Sequence, residues 1–159
     1  AEISILGEGS IGLVNITTLL GYTYIDPRQT DYDAAKDTVN TYSRSSSFSN
    51  ILKYRYQHSG KADVQLGYKN WSTGISARAN SFMESVDGLF ESNQFPGMKK
   101  YRLEHNKGDI LFDYRIAHQL NKTAKIAVVI NNLFNREVMG RPADLQAPRV
   151  FIVQLTVKI

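Results

Sequence analysis

The chain has no cysteine, which excludes a disulfide framework and a thiolate metal site. No apolar run approaches the ~20 residues of a membrane-spanning helix. Positive charge is thin: the formal net charge is +4, and beyond Lys99-Lys100 the cations are scattered. A nucleic-acid binder needs a clustered basic stripe, so no nucleic-acid partner is expected. The three histidines, His58, His105 and His118, stand far apart. HExxH, CxxC, GxGxxG, P-loop and GxSxG patterns are all missing. No enzyme activity, catalytic residue, metal site or intrinsically bound cofactor is therefore expected. A signal peptide is also missing, so a chain of this kind that crosses a membrane has its beginning elsewhere.

What is present is alternation. With 159 residues, 42% of them apolar and 21% charged, the chain suits one folded domain. Period-two patterning dominates over helical periodicity. Strands are expected at AEISILGE, at LVNITTLLGYTYI, at STGISARANSFMES, at GDILFDYRIAHQL, at TAKIAVVINN and at VFIVQLTVKI. In ILKYRYQHSGKADVQLGYKN, Leu52, Tyr54, Tyr56, His58, Ala62, Val64, Leu66 and Tyr68 share one parity, and the phase passes Gly60 unchanged. This reads as one strand from Leu52 to Lys69, about 60 Å long. Short turns at Gly9 to Gly12, Asn70-Trp71 and Asn121-Lys122 then alternate with long loops at 26–49, 86–107 and 134–149. In an up-and-down sheet all the long loops fall at one end. Asp87, Glu91 and Glu104 within them, and Asp109 just beyond the second, read as solvated charge.

Each strand has an aliphatic and aromatic face and a polar one. That fits a soluble sheet with one wet side, and it fits a transmembrane barrel with lipid outside and a polar lumen inside. Aromatics gather at both strand ends, as in interfacial girdles, although strands favour aromatics anyway. Seven up-and-down strands cannot close antiparallel, because the first and seventh point the same way. The chain is therefore part of a larger barrel or no barrel at all.

The segment NNLFNRE, followed by a loop and a terminal strand, resembles the closing signature of TonB-dependent outer-membrane receptors. LLGYTYIDPR, RYQHSGKADVQLGY, GISARANSFMES and GDILFDYRI continue the likeness in order over nearly all of the chain. The ending looks Bacteroidetes-like and more like the iron-complex, haem or cobalamin type than the glycan-importing branch. It departs in its last residue, Ile159, where the family commonly ends in an aromatic.

The resemblance implies an all-β, antiparallel up-and-down transmembrane β-barrel. The chain would supply about the last seven of roughly 22 strands, with long extracellular loops and short periplasmic turns. Plug and earlier strands would be absent from this sequence. The implied function is part of an outer-membrane active transporter of a large scarce nutrient: a ferric siderophore, haem or cobalamin. Its partners would be the remaining barrel and plug, a TonB-type energy-coupling complex and outer-membrane lipids. Asn131, Asn132, Leu133, Phe134 and Asn135 would shape the strand exit.

The loop residues Tyr32, Tyr42, Phe90, Phe95, Tyr101 and His105 are the ligand-contact candidates, since rigid rings bind at small entropic cost. Lys53, Arg55, Arg78, Arg115 and Lys125 form a row on the polar face, which would line the lumen and focus an anionic ligand. The competing reading is a soluble all-β ligand-binding or adhesion domain that uses its long loops.

Overall fold

The computed structural model describes residues 1–33 and 50–158. Its body is a seven-stranded antiparallel sheet. β1 (Glu2–Ile11), β2 (Val14–Tyr24), β3 (His58–Tyr68), β4 (Trp71–Asn80), β5 (Asp109–Gln119) and β6 (Ala124–Asn131) follow one another in space as in sequence, and β9 (Val150–Val157) completes it. A two-stranded hairpin, β7 (Met139–Arg141) and β8 (Asp144–Leu145), stands apart from it. Two helices, α1 (Gly88–Glu91) and α2 (Pro96–Glu104), lie in the connection from β4 to β5.

Two-residue turns fix the register of the first two hairpins. Ile11 pairs with Val14, and Gly12 between them has φ 59. Tyr68 pairs with Trp71, and Lys69 has φ 52. Positive φ at such positions matches the twist of the flanking strands. The first turn therefore lies beyond Gly9, and β1 runs straight through that glycine.

Register gives the sheet two faces of different character, although Leu6, Leu19, Leu111, Val129 and Ile152 fall on the more polar one. Val14, Tyr68, Trp71, His118, Ile126 and Leu155 form one cross-strand row, and Ile5, Leu20, Ala62, Ala77 and Phe112 form another. The opposite face carries Lys61 against Arg78 and Asp63 against Ser76 and Asp113. Among the described residues the buried apolar side chains are Met83, Val86, Met98 and Val138, all in the connections rather than the sheet. The sheet's greasy face is open, with Val153 71% exposed.

Three expectations are corrected here. The strand expected over Leu52 to Lys69 begins only at His58. Tyr54 has φ 62, a left-handed conformation that extended backbone cannot contain. Second, α1, α2 and the β7–β8 hairpin occupy segments read as loops. Third, the transmembrane β-barrel is replaced by an open sheet. β1 and β9 each pair on one side only, so nothing closes. Among the described residues no helix is long and apolar enough to cross a membrane. The identification as the closing part of an outer-membrane receptor barrel, its extracellular and periplasmic sidedness and its outer-membrane localisation fall together. Alternation supplies two chemically distinct faces in an open sheet as readily as in a barrel wall.

Candidate functional site

The connections 81–108 and 132–149 fold over one end of the sheet as a cap. Pro96 opens α2 at a position where its missing N–H costs nothing. Arg102 on that helix holds the cap together. Its Nη1 donates to the Met83 carbonyl at 3.0 Å, its guanidinium pairs with Glu91 at 3.0 Å, and it lies 4.7 Å from the Phe82 ring centroid. The Tyr101 hydroxyl accepts from the Met139 amide at 2.9 Å, and the Tyr56 hydroxyl donates to the Gly140 carbonyl at 2.6 Å. These two bonds fasten the β7–β8 hairpin to the rest. Gly108, with φ 87, closes the junction with β5; any Cβ there would run into the Asn80 carbonyl oxygen.

Beneath these bonds is a small cavity of about 40 Å³, lined by Tyr56, Phe82, Met98, Tyr101, His105 and Asp109. The Oδ1 of Asp109 is buried there without a hydrogen-bond partner. Burial pushes the Asp109 carboxyl above the usual carboxylate range, with His105 and Arg136 pulling the other way. Burial also raises the Tyr56 and Tyr101 phenols, and the nearby Asp109 charge adds to it. Outside the cavity runs an open groove of about 500 Å³, lined by Phe82, Glu84, Glu91, Lys99, Arg102 and Leu103. That volume suits a small-molecule ligand, whereas the inner cavity does not.

The aromatic loop candidates pair off in the cap. Phe90 and Phe95 stand 5.6 Å apart, and Tyr101 and His105 stack at 4.0 Å with 13° between planes. Tyr32 is half-buried, and Tyr42 lies outside the described residues. The row of cations divides. Lys53 is only 6% exposed and pairs with Asp87, which also accepts from the Tyr54 hydroxyl at 2.7 Å. Arg55 donates to the Tyr54 carbonyl at 3.3 Å, before β3 begins. Arg78, Arg115 and Lys125 stand on the polar face of the sheet. Arg115 grips Asp63 through two nitrogens, at 2.8 and 2.7 Å, and also contacts Ser76 and Gln65.

Asn131 ends β6 and Asn132 is buried beyond it. The Asn132 amide nitrogen donates to the carbonyls of Arg136 and Ala147, its Oδ1 accepts from the Arg136 N–H, and its own N–H donates to Asp113. The Leu133 N–H donates to the Phe112 carbonyl at 2.7 Å. The exposed Phe134 ring meets Phe112 edge-on, and the Asn135 Oδ1 accepts from the Arg149 N–H.

Reading 86–107 as a loop missed Arg102, placing Tyr56 in a strand missed its bond to Gly140, and reading Asp109 as solvated charge missed its burial. The available signal was the Pro-Gly opening of PGMKKYRLE and the Gly-Asp entry to β5. The acids read as solvated charge also divide: Asp87 and Glu91 hold cations and Asp109 is buried, while Glu104 reaches Lys100 at 3.8 Å on the exposed side of α2.

Among the described residues no three His, Asp or Glu groups gather where a metal could sit. No family model matches the chain. No curated protein matches it either. Among solved structures it is similar to the closed form of the ferric-catecholate import receptor Fiu from E. coli K12, with a TM-score of 0.64 at 17% identity. The match covers 98% of this chain and 20% of that one, so the chain spans about a fifth of that receptor's length. At such identity the likeness is one of fold.

Proposed function

We propose that this chain is an all-β ligand-recognition module whose binding surface is the cap that the long connections fold over one end of the sheet. The observation that carries the reading is the groove of about 500 Å³ beside α2. It combines apolar contact from Phe82 and Leu103 with cationic contact from Lys99 and Arg102. Rings and cations together suit a planar, electron-rich anion: the ring stacks on apolar surface while the negative oxygens meet ammonium and guanidinium. The ferric-catecholate import receptor, a fifth of which is similar in fold to this chain, favours the same chemistry. A ferric catecholate complex is therefore the proposed ligand class. Glu84 and Glu91 on the groove wall oppose a highly charged ligand, and Arg102 is already committed to Glu91. Lys99 is then the cation with most to give.

Titrating the chain with ferric tris-catecholate tests this. Saturable binding is expected, weakened about tenfold by Lys99→Met, the worth of one charge-assisted contact. Leu103→Asp should abolish it. Absence of saturable binding, or equal affinity in both variants, would overturn the reading.

A further inference from the structure

A second constellation lies on the polar face of the sheet, away from the groove. Lys61 on β3 and Arg78 on β4 are direct cross-strand partners. Like charges placed directly opposite each other destabilise a sheet pair. Arg78 is held from behind by one contact, Nη2 to Asp113 at 3.1 Å, and its side chain is 60% exposed. Lys61 makes no ion pair among the described residues. Its stem lies across Gly21 of β2, where an added Cβ would stand 2.7 Å from the lysine Cε. The glycine therefore makes room for the lysine to lie along the sheet surface. Lys61 and Arg78 line a cleft of about 250 Å³ together with Thr23, Ser59, Asn80 and Glu2, and with Tyr22, whose hydroxyl is engaged with His58.

We infer that this cleft is a binding site for a compact oxyanion, a carboxylate or phosphate group of a small molecule. The two cations supply charge-assisted donors from adjacent strands, and the hydroxyls of Ser59 and Thr23 and the amide of Asn80 supply neutral ones. An anion between Lys61 and Arg78 turns their repulsion into two attractions. Glu2 on the rim and Asp113 behind Arg78 remove part of the positive charge. The site thus favours a single oxyanion group over a polyanion. This inference stands independently of the cap: it uses different residues and a different ligand group.

Amide chemical shifts of the 159-residue chain, followed during titration with inorganic phosphate and separately with acetate, test it. Saturable shifts centred on Ser59, Lys61, Arg78 and Asn80 are expected with at least one of the two, and the stronger responder identifies the oxyanion. Lys61→Met keeps the stem over Gly21 and removes the charge, and should weaken binding about tenfold. Lys125→Met, elsewhere on the polar face, should leave it unchanged. Glu2→Gln removes the opposing carboxylate and should tighten binding a few-fold, a gain that misfolding cannot imitate. Shifts spread evenly over the surface lysines, no saturation with either anion, or equal affinity in Lys61→Met and Glu2→Gln would overturn the assignment.

Discussion

Arg115 on β5 reaches Asp63 on β3 by passing over Gly74 on the strand between them. The Nη2–Oδ1 distance is 2.7 Å, and a Cβ built on Gly74 would lie 2.7 Å from the Arg115 Cζ. Gly74 is the direct register partner of Arg115. Its lack of a side chain lets the guanidinium cross β4 and make two-pronged contact with the carboxylate.

Gly74→Ala should therefore be destabilising despite the usual gain from replacing glycine in a strand. The methyl group meets the guanidinium and pushes it off Asp63, leaving both charges partly desolvated. The expected cost is about 1–3 kcal/mol, the penalty for a lost charged hydrogen bond. Urea unfolding measures it. In an Arg115→Ala background the same substitution should be neutral or stabilising, because the clash has gone.

Acid should unfold the protein through specific carboxylates. The Arg115 hydrogen bond holds Asp63 below the ordinary carboxylate range, and the Lys53 and Tyr54 hydrogen bonds do the same for Asp87. Each contributes stability that is fully present above the unfolded pKa of about 3.9 and is lost as pH falls through the lower folded value. Asp109 has the opposite sign. Burial raises its folded pKa, so the folded state prefers the neutral acid and loses stability as pH rises from the unfolded value through the folded one. Asp109→Asn should raise the melting temperature at pH 7 and change it little at about pH 3, where the Asp109 carboxyl is largely neutral in the folded and the unfolded state alike. Asp63→Asn should lower the melting temperature at pH 7 and flatten the acid limb. Thermal melts across that range read both.

Asn132 should be intolerant of substitution. It is 4% exposed, sits at φ 51 and joins the exit of β6 to the backbone at Arg136 and Ala147. Asn132→Ala strands those buried backbone groups and puts a Cβ-bearing residue without a polar side chain in the left-handed region. A cost of about 3 kcal/mol or more is expected. Asn132→Gly should recover only the backbone part, at most about 1 kcal/mol.

The sheet was legible because period-two alternation is a local consequence of the pleat. The parity that passes Gly60 in the sequence is the parity of β3. The same signal misled before His58: Leu52, Tyr54 and Tyr56 keep the phase, yet Tyr54 turns left-handed and Lys53 is buried against Asp87. That seven strands cannot close on themselves was legible in their number, but the choice between an open sheet and part of a barrel wall was not, because both demand the same alternation. The cap was hardly legible at all. α2 buries only Met98, so it shows little apolar periodicity, and its place is set by Arg102 and Tyr101 bonding to distant backbone. Asp109 looked like loop charge because burial depends on what α2 and β7 bring over it.

The central claim is that recognition takes place on the cap, beside α2. Gallium tris-catecholate, the diamagnetic counterpart of the ferric complex, allows its contact surface to be mapped residue by residue through amide chemical shifts of the chain. The account predicts saturable shifts concentrated at 82–84 and 99–106, with the open greasy face of the sheet unaffected. Shifts centred on Ile5, Leu20, Val153 and Leu155 instead, or none at all, would contradict it.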